Sequence, residues 1–179
     1  MNVTVAKSSG FCSGVQHAVD TAMRVEPENV YLLGELIHNP SVTDAVRARG
    51  IITVESVDEV PQGATLILRS HGVGRLVYEA CTQKGIRIID CTCPFVRHTQ
   101  EIVRNSTSIG KTVLVIGEKT HPEVIGLCGW GNGRVLVLED ENADLSSLLG
   151  QKIVVVAQTT CSEEKFKKIL QNIEKVCGK

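Results

Sequence analysis

Aromatic residues are scarce in this chain: three Phe, two Tyr and one Trp make up 3% of its 179 residues. Few platforms are therefore available on which bases could stack. The formal net charge of −1 adds no bulk attraction to a phosphate backbone or an anionic bilayer. Nucleic acid and membrane are accordingly not expected partners. No apolar run is long enough to span a bilayer, and the opening Met-Asn-Val-Thr-Val-Ala-Lys lacks the charged and apolar regions of a signal peptide. A Walker phosphate loop and a Gly-x-Gly-x-x-Gly turn are both missing, so nucleotide binding has little support. Cysteine, by contrast, is plentiful. Seven of them, an odd number without a secretory signal, fit a reducing cytoplasm better than a disulfide framework. A cytoplasmic location is expected.

The chain is organised around the stretch from Gly85 to His98. Ile86, Ile88 and Ile89 predict a short buried strand, and Pro94 suits the first turn of a helix, where its missing N–H has no intrahelical partner. Cys93 then sits between strand and helix. Unpaired N–H groups and the positive end of the helix dipole favour an anionic ligand atom at such a position. As bare residues, Cys91 and Cys93 read equally as small hydrophobes at a tight turn.

Similar turns recur. Strands are predicted at 3–6, 30–33, 51–54, 64–68, 86–89, 112–116, 135–138 and 153–157. Helical periodicity follows Cys12 (Val15, Ala18, Val19, Ala22, Met23) and runs from Pro40 to the stop at Gly50, around Leu76 to Lys84, from Pro94 to about Ile109, and over Glu123 to Cys128. Thr160 and Glu163 have capping-box spacing for a last helix whose apolar face is Phe166, Ile169, Leu170, Ile173 and Val176. Strands alternating with helices imply an α/β protein with mostly parallel sheets flanked by helices. The expected organisation is two lobes, 1–93 and 94–179.

The polar residues at the turns carry the functional signal. Cys12, His38, His71, Cys93, His121 with Glu123, and Thr159 each follow a predicted strand and precede a helix. Ligands bind beyond the carboxyl ends of parallel strands, so two facing lobes would gather these residues in one cleft. Imidazoles beside helix N-termini suit an anion such as phosphate. His17 and His98 lie within helices and read as surface residues. Cys81, Cys128 and Cys177 read as buried thiols without chemistry. Glu123 reads alternatively as a first-turn carboxylate favoured by the dipole. Cys91-x-Cys93 is not by itself a zinc or ferredoxin spacing.

Six motifs are informative together: Phe-Cys-Ser-Gly-Val from Phe11, Ile-His-Asn from Ile37, Ser-His-Gly-Val from Ser70, Cys-Thr-Cys-Pro from Cys91, His-Pro-Glu-Val from His121 and Gln-Thr-Thr from Gln158. In order and spacing they resemble the 4-hydroxy-3-methylbut-2-enyl diphosphate reductases, the LytB-type iron–sulfur enzymes of the non-mevalonate isoprenoid pathway. The resemblance implies three α/β lobes around a [4Fe–4S] cluster, one Cys from each lobe, with Cys12 and Cys93 matching two of these metal ligands. His38, His71 and His121 match substrate-binding residues, chiefly for the diphosphate. Glu123 matches the catalytic proton donor, and Thr159 a hydroxyl that helps place the substrate. The implied reaction removes an allylic hydroxyl with two electrons and two protons, giving isopentenyl and dimethylallyl diphosphates, and the implied electron donor is a ferredoxin or flavodoxin. The family's third lobe, with its third cluster Cys, has no counterpart in this sequence. The chain is therefore expected to be inactive alone. Alternative readings are a cluster-free module that binds a diphosphate or a partner, and a small zinc or iron–sulfur protein using Cys91, Cys93 and perhaps Cys161.

Overall fold

Short β-branched and leucine-rich runs separated by amphipathic helices build two parallel sheets. The computed structural model describes residues 3–7 and 9–178. Strands β1 (Val30–Leu33), β2 (Ile52–Val54), β3 (Thr65–Leu68) and β4 (Arg87–Asp90) form the first sheet, in the order β2-β1-β3-β4. Strands β5 (Thr112–Ile116), β6 (Val135–Leu138) and β7 (Ile153–Ala157) form the second, in the order β6-β5-β7. Every pairing is parallel. The helices are α1 (Ser13–Arg24), α2 (Pro40–Ala48), α3 (Arg75–Gln83), α4 (Pro94–Ser108), α5 (Pro122–Cys128) and α6 (Glu163–Cys177).

Side chains alternate across each strand, and the cores follow that period. Leu32 and Ile67 pack with Ala18, Ala22 and Val46 of α1 and α2 on one face of the first sheet. Leu66 and Leu68 pack with Cys81 of α3 on the other face. In the second sheet Leu114 and Ile116 meet Ile169 and Ile173 of α6, whereas Val113 and Val115 meet Val103, Val124 and Leu127 of α4 and α5. β5, the central strand, is buried at all five positions, as a strand covered on both faces must be.

Two expected elements are corrected. Residues 3–6 form no strand: Val3 and Val5 are 73% and 74% exposed, and the segment pairs with neither sheet. An extended apolar pair becomes a strand only beside an edge that accepts its hydrogen bonds, and among the described residues no such edge adjoins it. Cys12 consequently follows no strand, although it still begins α1 as its N-cap. The cap of α6 is Ser162, whose side chain accepts from the Lys165 N–H at 3.2 Å. Thr160 is engaged elsewhere, accepting from Gln158 Nε2 at 2.7 Å.

The two sheets meet at a seam of glycines. Backbone from the β3 exit, Gly72 to Gly74, lies against α5 and its C-terminal end: a Cβ on Gly74 would sit 3.0 Å from Gly129 Cα, and one on Gly126 would sit 3.3 Å from Gly72 O. Trp130 Nε1 donates to Val73 O at 2.9 Å and buried Gln100 of α4 donates to the same oxygen at 3.4 Å. Beside them the Tyr78 and Trp130 rings lie 5.7 Å apart, and Arg97 of α4 pairs with Asp90 of β4 at 3.0 Å. Burial, then the neighbouring Asp90, pushes the Tyr78 phenol up to about 12. No helix among the described residues is long and apolar enough to cross a membrane.

Candidate functional site

In each sheet the chain reverses its direction of growth once, which leaves a crevice where two neighbouring strands send their exits apart. In the first sheet the crevice lies between β1 and β3, whose exits carry His38 and His71. In the second it lies between β5 and β7, whose exits carry His121 and Thr159. The seam sets these crevices face to face. Together they line a cleft of about 500 Å³ that contains Cys12, His38, His71, Cys93, His121, Glu123 and Thr159. All seven expected site residues converge here. His17 and His98 lie outside it and are exposed, as expected.

Three imidazoles form the centre. His38 and His71 stack with ring centroids 4.4 Å apart, and His121 meets them edge-on at 5.6 and 5.4 Å. One nitrogen from each lies within 4.8 Å of the others. The hydrogen-bond pattern decides what such a cluster favours. His121 caps α5 by accepting the Glu123 N–H on its Nδ1 at 3.1 Å. The neutral ring must then carry its proton on Nε2, where it is a donor. A metal would have to take Nδ1 from the cap or strip Nε2 of its proton. An anion needs neither change. His38 Nδ1 faces the Glu35 carboxylate at 3.4 Å, and His71 Nδ1 is buried without a partner. Burial, followed by the charges of His38, His121 and Arg69, lowers the His71 pKa to about 4. Near neutral pH it is an uncharged ring.

Glu123 is 1% exposed, which is unusual for a carboxylate. Thr159 satisfies it twice, donating its N–H to Oε1 at 2.8 Å and its hydroxyl to Oε2 at 2.6 Å. This places the carboxyl group at the cleft wall, one hydroxyl away from its interior. The Thr159 loop is itself braced by buried Gln158, whose Oε1 accepts the Glu118 N–H at 3.0 Å.

The thiols Cys12 and Cys93 line the same cleft. Cys12 and Cys93 are the N-caps of α1 and α4, and neither side chain makes a capping hydrogen bond. They share one neighbourhood: a Cβ on Gly14 would fall 2.5 Å from Cys93 Sγ, so the Cys-Ser-Gly motif has room for this thiol only because residue 14 is glycine. Two uncommitted sulfurs at converging helix starts are a fitting partial donor set for a thiolate-bound metal cluster. Cys91 is excluded from that role. It is fully buried with Ala18, Ala22 and Ile67, and burial followed by the nearby Asp90 pushes its pKa up to about 11. Cys161, entertained as a further ligand, packs against the α6-side core and does not line the cleft. The small metalloprotein using Cys91, Cys93 and Cys161 is thereby overturned.

Sequence reasoning missed several residues here. Ser70 is buried, its hydroxyl donates to Leu36 O at 3.1 Å, and its carbonyl accepts the Cys93 N–H at 2.9 Å. It ties the His38 loop to the cysteine turn. Its place in Ser-His-Gly was the one available signal. Val15, Phe95 and Val96 give the cleft an apolar floor, and Thr160 adds a second hydroxyl.

The chain is similar to several known proteins. A 4-hydroxy-3-methylbut-2-enyl diphosphate reductase of Thermoanaerobacter sp. (strain X514) is 38% identical over 182 residues, an alignment covering 97% of this chain and 62% of that protein. The enzyme of the same name from Geobacter sp. (strain M21) is 40% identical, over 92% of this chain and 59% of its own. Among solved structures, the E-1-hydroxy-2-methyl-but-2-enyl-4-diphosphate reductase of Plasmodium falciparum superposes with a TM-score of 0.85 at 28% identity, over 94% of this chain and 55% of that one. The (E)-4-hydroxy-3-methyl-but-2-enyl diphosphate reductase described as the terminal enzyme of the non-mevalonate pathway superposes at 0.80 with 35% identity, over 98% and 64%. The chain thus spans about three-fifths of the length of these relatives. The LytB protein family model matches residues 3–179, and the chain belongs to that family.

Proposed function

We propose that this chain supplies the diphosphate-binding and proton-delivering part of a 4-hydroxy-3-methylbut-2-enyl diphosphate reductase, with residues 1–93 and 94–179 as two lobes closing on the substrate. The observation that carries the reading is the ring of three histidines, drawn from both sheets and set beside a buried carboxyl group and two helix-capping thiols in one cleft. His38, His71 and His121 bind the diphosphate by N–H donation. The apolar side chains of Val15, Phe95 and Val96 take the five-carbon skeleton. Cys12 and Cys93 would hold a [4Fe–4S] cluster, which when bound supplies the electrons and a Lewis-acidic iron for the leaving hydroxyl.

The proton path follows from the Glu123–Thr159 pair. With Glu123 ionised, the Thr159 hydroxyl donates to Oε2. With Glu123 protonated, that bond reverses: the acid donates to Thr159 Oγ1, whose own proton turns to the substrate's hydroxyl. Loss of that hydroxyl as water then leaves Glu123 as carboxylate. A ferredoxin- or flavodoxin-type donor would supply the two electrons, and a second proton, added at an allylic carbon, completes the isopentenyl or dimethylallyl product.

Two thiols of the described residues line the cleft, whereas the family arrangement uses three. The 179-residue chain by itself is therefore expected to take up fewer than four irons and to show no turnover. Anaerobic reconstitution with iron and sulfide, followed by calorimetric titration with 4-hydroxy-3-methylbut-2-enyl diphosphate, tests the reading. Iron uptake should vanish in Cys12→Ala and Cys93→Ala. Substrate affinity should fall in His71→Asn and His121→Asn but survive in both cysteine variants. Iron uptake indifferent to both cysteines, or diphosphate binding indifferent to both histidines, would overturn it.

A further inference from the structure

We propose that Gly74 and Gly129 are positioning residues for the cleft: two backbones without side chains set the spacing at which His71 of the first sheet meets His121 and Glu123 of the second. The inference rests on the reading of this cleft as a diphosphate site.

Neither glycine is required by its own backbone. Gly129 has φ −64° and ψ −13°, and Gly74 has φ −76° and ψ 164°, conformations open to any residue. On local grounds alanine would be the better choice, since it restricts the unfolded chain more than glycine does. What forbids it is the partner lobe. A Cβ on Gly129 would stand 2.6 Å from Gly74 Cα, and one on Gly74 would stand 3.0 Å from Gly129 Cα. In both cases the obstacle is backbone, which cannot rotate aside as a side chain would. Relief requires the β3 exit and the end of α5 to separate.

The seam is directly linked to the site. Gly74 lies three residues beyond His71, and Gly129 follows α5, the helix that His121 caps and on which Glu123 sits. The bonds from Trp130 Nε1 and Gln100 to Val73 O span the same gap, so a shift at the glycines passes to both walls of the cleft. Restoring ordinary contact at Gly129 asks for a displacement of almost 1 Å, a misplacement that at a reacting centre can cost about 10²-fold.

The test compares Gly129→Ala and the milder Gly74→Ala with the wild-type chain. One readout is the NOE between His71 and His121 ring protons, whose rings are 5.4 Å apart between centroids. A second is the emission of Trp130, the only tryptophan in the sequence. A third is affinity for inorganic pyrophosphate. In Gly129→Ala the NOE should weaken, the emission should shift to the red, and affinity should fall about tenfold or more, with far-UV circular dichroism unchanged. Gly74→Ala should show the same changes in smaller degree, and it carries the test if Gly129→Ala does not fold. An unchanged NOE, or a weakened NOE with unchanged pyrophosphate affinity, overturns the proposal. A wild-type chain that ignores pyrophosphate removes the diphosphate reading instead, and the NOE then decides the seam alone.

Discussion

His71 shows most directly how packing changes a residue's chemistry. An imidazole ordinarily titrates near 6.5, and burial with the charges of His38, His121 and Arg69 lowers this one to about 4. Between those values the unfolded chain takes up a proton that the folded chain refuses, so stability falls as pH drops through that window and levels off below it. In urea titrations at pH 7, 6 and 5, His71→Asn should lose less stability than the wild type. Parallel losses in the two proteins would show that His71 titrates as an ordinary exposed histidine. Its place in the site was legible because His38, His71, His121 and Thr159 all lie just after runs that read as strands. Ser70 and Gln158 were not assigned a role because their hydrogen-bond partners, Leu36 and Cys93 for one and Glu118 for the other, are close only in the folded chain.

At the scale of elements, alternation of β-branched runs with helical periods placed β1 to β7 within a residue or so of their observed limits. Periodicity reports which residues can be buried, not whether an edge is present to pair with, and so residues 3–6 read as a strand that the sheets do not contain. The start of α6 failed for a related reason. Thr160 and Ser162 are both good caps, and the choice fell to Gln158, which holds the Thr160 hydroxyl in the β7 exit. Ser162→Ala should therefore cost about 1 kcal/mol and expose the Lys165 amide to faster hydrogen exchange. Thr160→Ala should leave that amide protected. The opposite pattern would return the cap to Thr160.

At the scale of the whole molecule, the seam contacts are expected to make the two sheets unfold together. Trp130 reports the seam and far-UV circular dichroism reports the backbone, so their urea transitions should coincide in the wild-type chain. Emission that changes at lower urea than the dichroism would show that the lobes part before they unfold.

The order of the strands along the chain also has a consequence in time. Neither sheet borrows a strand from the other: the first is complete at Asp90, the second only at Ala157. At ribosomal speeds of about 5–20 residues per second, the interval between the two is roughly 3–13 s. During it, His38 and His71 already flank their crevice and Cys12 already begins α1, whereas α4, which Cys93 caps, packs on β5 and waits for the second sheet. The third histidine, the buried carboxyl group and the threonine that holds it arrive only with the second sheet. A newly made molecule therefore has Cys12 and two histidines in place before the rest of the site, and it acquires the second thiol's helix and its grip on an anion together in one late step.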